Sequence, residues 1–183
     1  KDSPWMIAVK DRTNGSMTYL TEGMFPDWSP FGEHICFQRN SRQDPGYTSI
    51  YSIRSDGSEL TEVYHSDSHG AITPAWAGDW ILFATVNKSS ASRTRNNFAM
   101  FNADDIWIVH RDGSQARILT QHRQADWDPC YDVQGRRVVF VSLRDQVQNI
   151  YAVSLNTAPA AISHSSHRAS TASSGGLFPA SYR

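Results

Sequence analysis

FPDWSPFGEHICF, residues 25–37, sets a proline, an aromatic side chain two positions later, a Gly-containing turn and an apolar run closed by Phe in a fixed order. The order returns as TPAWAGDWILF at 73–83 and as DPCYDVQGRRVVF at 128–140. Pro26 and Pro74 lie 74 − 26 = 48 residues apart, and Pro74 and Pro129 lie 129 − 74 = 55 apart. Such periods mark arrays, solenoids or propellers.

A second signal runs in phase with the first. After each apolar run comes an Ile-aromatic strand: IYSIRSDGS from Ile50, IWIVHRDGS from Ile106 and IYAVSLN from Ile150. IAVKDRTNGS from Ile7 is the same strand with Ala in the aromatic place. Period-two alternation, β-branched and aromatic enrichment, and bounding Asp-Gly or Asn-Gly pairs describe strands joined by tight hairpins. A short closing strand follows each such pair: MTYLT from Met17, LTEVY from Leu60 and RILT from Arg117.

Four short antiparallel strands cannot bury both faces alone, so units of this kind pack face to face around an axis as propeller blades. The fold class is all-β, a β-propeller with about three complete blades and partial blades at both ends. The proline is expected where the chain enters the innermost strand. The aromatics Trp28, Trp76 and Tyr131 are expected to be buried between blades. A β-sandwich is the alternative, but its strands do not usually repeat one motif in phase. Residues 1–183 are expected to form one propeller domain, either part of a larger one, the favoured reading, or a minimal ring closed by its two ends, with a flexible Ser/Ala/Thr-rich loop at 157–176. Within that loop Ala161-Ile162-Ser163 is a weak candidate for the closing strand. LFPASYR, from Leu177, resembles GMFPDW near the start and stands where the next blade would begin.

Trp28-Ser29-Pro30-Phe31-Gly32, Ile35-Cys36-Phe37, Ile50-Tyr51 and Asp56-Gly57-Ser58 resemble the WD-like repeat of the TolB-like β-propeller family. Tyr19-Leu20-Thr21 and Ile118-Leu119-Thr120 resemble its closing Leu-Thr element. The second copy shortens the turn to Trp76-Ala77-Gly78-Asp79, and the third carries Tyr131 for Trp and Asp132-Val133 for Ser-Pro. The resemblance implies a non-catalytic scaffold that binds a protein or peptide partner, in a periplasmic or extracellular setting. The rival readings are the propeller of a prolyl-oligopeptidase-like serine hydrolase, whose triad sits on a separate domain, and a carbohydrate-binding or lyase propeller.

Composition narrows the field. The 183 residues are 39% hydrophobic and 19% charged with a formal net charge of −1, enough apolar content for a real core. Near-neutral charge argues against nucleic acid as the main partner, because phosphate neutralisation calls for a basic face. The longest apolar run, WILFATV from Trp80, is far short of the ~18 residues of a membrane helix. The opening KDSPW shows no basic and apolar leader, so any targeting signal is expected outside this sequence. Cys36 and Cys130 fall in different repeats and are expected to be buried, reduced and unlinked.

Catalytic and metal signals are weak. His65 and His69 flank Asp67, and His164 stands near His167, but these pairs lie in Ser-rich connections and read as solvated loop histidines. No G-x-S-x-G elbow is present. Asp104 and Asp105 are adjacent on a strand and are expected to face opposite ways. Asp56-Gly57 and Asp112-Gly113 read as turn chemistry rather than cation loops. No cofactor and no metal are expected. The outstanding irregularity is NKSSASRTRNNFAMFNADD at 87–105, longer than its counterparts. There Arg93 and Arg95 join Phe98 and Phe101, a mix of charge and apolar anchors suited to a partner surface.

Overall fold

The computed structural model describes residues 5–40, 48–87, 103–155 and the backbone of 167–168. Two strands, β1 (Met6–Lys10) and β2 (Met17–Glu22), make a half blade. The first full blade runs β3 (Met24–Trp28), β4 (His34–Asn40), β5 (Thr48–Arg54), β6 (Thr61–Tyr64). The second runs β7 (His69–Ala77), β8 (Trp80–Asn87), β9 (Ala103–His110), β10 (Arg117–Ile118). The third runs β11 (Asp126–Asp132), β12 (Arg137–Ser142), β13 (Asn149–Ser154), β14 (His167–Arg168). Each strand pairs antiparallel with the next in sequence, so each blade is a meander. The all-β propeller architecture expected from the repeat is present. The closing strand of the third blade is His167–Arg168, within the Ser/Ala/Thr-rich stretch. Residues 161–163, and the remainder of 157–176, lie outside the described residues. No helix among the described residues is long and apolar enough to cross a membrane.

Register shows that the three copies are equivalent position by position. Trp28, Trp76 and Tyr131 face Ile35, Ile81 and Val138, and Phe37, Phe83 and Phe140 face Tyr51, Trp107 and Tyr151. The latter pairs stack at ring-centroid distances of 5.9, 6.5 and 6.3 Å. Blade by blade, the core is a set of layers between sheets. Trp76 of β7 packs with Cys36, Ile50 and Val63 of the preceding blade, and Trp127 of β11 packs with Leu82, Ile106 and Ile108.

The proline does not mark the strand entrance. Pro74 comes five residues after β7 starts, and in all three blades the ladder shifts register around the proline. The preceding residues, Phe25, Thr73 and Asp128, have φ of 53°, 47° and 49°. A β-bulge explains both features: one extra residue bends the inner strand, and the missing proline N–H costs nothing where the ladder is already interrupted.

Hairpin turns follow one recipe. Gly15, Gly57 and Gly113 have φ of 76°, 89° and 86°. Asn14, Asp56 and Asp112 each accept the backbone N–H two residues on, from Ser16, Ser58 and Ser114, at 2.8 to 2.9 Å. These bonds, with the serine hydroxyl at Ser58 and Ser114 contributing most, hold the Asp56 and Asp112 carboxyls below the usual range.

Gly23 carries a different demand. A Cβ there would come within 2.4 Å of the Phe37 ring. Because Phe37 is fully buried, Gly23→Ala is expected to lower stability by about 1–3 kcal/mol through overpacking. Urea denaturation checks this, with Gly32→Ala as the comparison for backbone strain alone, since a Cβ on Gly32 meets nothing within 4 Å.

Candidate functional site

Inner strands run in one direction, so the β6 to β7 and β10 to β11 connections share an end of the molecule with the β8 to β9 connection. At that end, on the second blade, lies a cleft of about 350 Å³ bordered by His69, Thr85, Asn87, Ala103, Asp104, Asp105, Trp107, His122 and Arg123, among others. Asn87 and Ala103 are the residues from which the long connection departs and to which it returns. The expected contact residues on it, Arg93, Arg95, Phe98 and Phe101, lie outside the described residues.

The aromatic wall is built by the repeat. Trp107 takes the third-strand aromatic position, with Phe83 stacked at 6.5 Å and His69 tilted at 5.2 Å. His69 Nε2 is 2.8 Å from the Tyr64 hydroxyl, and its Nδ1 is 3.0 Å from Ser68 Oγ. His69 is thus a strand residue held in a network, not a solvated loop histidine. Burial holds its pKa below the ordinary value.

That direction fixes a pH dependence. With the folded pKa lower than the unfolded one, the unfolded chain binds more protons, so stability is full above the unfolded value of about 6.5 and falls as pH drops through the window below it. Asp104, Asp105 and Asp128 act in the opposite sense, because partial desolvation of their carboxyls raises their pKa values, although Asp104 and Asp128 are exposed as whole residues. Their shift favours the folded state at low pH and is lost as pH rises through the folded values. Chemical denaturation at pH 7.5 and pH 5 is expected to show a smaller loss for His69→Gln than for the unsubstituted chain. An equal loss in both would remove His69 from the account.

The carboxylates divide into two roles. Asp105 Oδ1 accepts the His122 backbone N–H at 3.1 Å, tying the β10 to β11 connection to β9. Its equivalent Ser49 lies 3.1 Å from His65 Nδ1, on the preceding connection. Asp105 is therefore a structural tie. Asp104 is exposed. Both border the cleft, because β9 begins at the cleft rim; charge from Asp126 and Asp104 adds to the rise in the Asp105 pKa behind burial itself.

His65 extends this chain: its Nε2 lies 3.2 Å from Asp67 Oδ1. Ser49, His65 and Asp67 thus form a serine, histidine and carboxylate line. The serine is fully buried and the carboxylate is almost fully exposed, so a substrate cannot reach the hydroxyl. Among the described residues no group of three or more His, Cys, Asp or Glu is disposed to hold a metal ion. Sequence spacing could not reveal the Asp105 to His122 and Ser49 to His65 ties, since each joins residues 16 or 17 positions apart. The signal available was the position before Ile50 and Ile106 in each copy.

Two expectations need correction here. Cys36 is buried and Cys130 is exposed, both free. Trp28 is 46% exposed whereas Trp76 is 8% exposed, and Tyr131 is half-buried. Trp76 and Tyr131 pack in clusters that include residues of the preceding four-stranded blade, whereas the sheet before Trp28 has only the two strands β1 and β2.

No protein-family model matches the chain. It is 28% identical over 160 residues to a TolB homolog of Chlorobium luteolum, a match covering 70% of this chain and 36% of that protein. A putative TolB from Agrobacterium tumefaciens superposes with TM-score 0.59 at 22% identity, covering 82% of this chain and 57% of that one. TolB from Acinetobacter baumannii gives 0.61 at 14% identity, covering 83% and 36%. The fold is a TolB-like β-propeller, one shared with lyase and prolyl endopeptidase structures. The chain spans about a third of the length of the curated relative it matches.

Proposed function

We propose that this chain is part of a non-catalytic β-propeller scaffold that binds a protein or peptide partner, in a periplasmic setting like that of TolB proteins. The observation that carries the reading is the cleft on the second blade, with the long connection rooted at its rim through Asn87 and Ala103. A rigid layered core holds that rim, and loops on rigid frames are where recognition concentrates. Arg93 and Arg95 supply bidentate polar contacts, and Phe98 and Phe101 supply anchors. The burial of Ser49 weighs against a hydrolytic site here.

Peptides selected by display against the whole chain test this reading by titration calorimetry. Replacing Phe98 and Phe101 together by Ala is expected to weaken binding by about 2–4 kcal/mol without changing the melting temperature. Peptides that bind the double variant and Asp104→Asn as tightly as the unsubstituted chain would place recognition elsewhere and overturn the proposal.

A further inference from the structure

The forward face of each blade is covered by the inner strand of the next. Ile50 and Ile106, equivalent in register, are both 0% exposed, packed against the second and third blades respectively. Ile150 holds the same position in the third blade and is 62% exposed. Around it, Val139 and Ala152 are only partly buried, where Cys36 and Leu82, Ser52 and Ile108 are buried. Cys130 is exposed on the inner strand. A separate signal agrees. Ser49 and Asp105, one position before those isoleucines, reach the connection to the next blade, whereas their equivalent Asn149 has a buried Nδ2 without a hydrogen-bond partner among the described residues.

We propose that this face is the seat of the segment 177–183, which lies outside the described residues, and that Phe178-Pro179-Ala180-Ser181-Tyr182 lies on it as an inner strand. Spacing after a four-stranded blade supports the choice of occupant, whereas Pro26 follows the end of the half blade's β2, Glu22, by 26 − 22 = 4 residues. Pro74 follows the end of β6, Tyr64, by 74 − 64 = 10 residues, and Pro129 follows the end of β10, Ile118, by 129 − 118 = 11. Pro179 follows the end of β14, Arg168, by 179 − 168 = 11. The contacts continue an established interface, since β7 lies on β3, β4 and β5, and β11 on β7, β8 and β9. On the third blade the corresponding strands are β11, β12 and β13, which carry Cys130, Val139 and Ile150. Asn149 Nδ2 then meets a carbonyl of the connection after Arg168.

Cys130 reports occupancy in the 183-residue chain, and the buried Cys36 reports unfolding. Reaction with a chromogenic disulfide reagent is expected to be at least about tenfold slower at Cys130 than in the double variant Phe178→Ser, Tyr182→Ser, because thiol reactivity follows access. Ile150→Asp, which spoils the seat instead of the segment, is expected to release Cys130 to the same extent while Cys36 stays unreactive. Equal Cys130 rates in the unsubstituted chain and both variants would overturn the proposal. So would protection that disappears on dilution, which would assign the face to a second copy.

Discussion

Asp126→Ala is expected to remove about 3–5 kcal/mol of stability, because it strands a buried guanidinium. Asp126 is fully buried, and its Oδ2 accepts from Arg144 Nη2 at 2.7 Å. Arg144 is itself mostly enclosed, its guanidinium 5.3 Å from the Phe140 ring centroid and 5.2 Å from that of Tyr151. Those rings shield much of the cation from the water that would otherwise replace the lost carboxylate. The pair also fixes the start of β11 to the turn after β12, beside the backbone bond from Leu143 N to Ala125 O. Asp126 Oδ1 and Arg144 Nε have no hydrogen-bond partner among the described residues, so the pair is not a perfected network. Removing both charges with Asp126→Ala and Arg144→Leu should therefore recover much of the loss, since a buried ion pair is often close to neutral against apolar replacements. Urea titrations of the two singles and the double close the cycle. A single-variant loss under about 1 kcal/mol would mean that the pair is solvated in practice.

The repeat was legible because its cause is local. Strand alternation and the Asp-Gly and Asn-Gly turns are decided within a few residues; the turns recur in the half blade and the first two blades, and the Phe-to-aromatic cross-strand pairs recur in all three full blades. Cys36, Leu82 and Val139, each in the apolar run of its copy, hold one register position. What the sequence hid depends on neighbours far along the chain. The proline motif is the same in three places, yet whether its aromatic is buried depends on which strands the preceding sheet presents. The cleft was hidden for the same reason: His69 belongs to an inner strand, Trp107 to a third strand, and His122 to a connection, brought together only when blades stack. The long connection was visible as an anomaly of length and composition, and the structure sets its two ends on the cleft rim, while its named contact residues lie outside the described residues.

The contrast between equivalent aromatics makes the stacking account measurable. Trp76→Ala is expected to cost about 3–5 kcal/mol, the range for truncating a large buried aromatic. Trp76 packs with Ala71, Ile81 and Phe83 of its own blade and with Cys36 and Ile50 of the preceding one, so its removal opens a cavity between two sheets. Its Nε1 has no hydrogen-bond partner among the described residues, which leaves packing as the source of the loss. Its backbone N–H donates to Asp27 Oδ2 at 2.8 Å, a link across the same interface that the substitution keeps. Trp28→Ala, at the equivalent register position but 46% exposed, is expected to cost about 1 kcal/mol or less. Paired urea denaturation of the two variants decides the matter. A large loss at Trp28 would show that its face is covered in solution, and a small loss at Trp76 would break the assignment of that ring to the interface between the first and second blades.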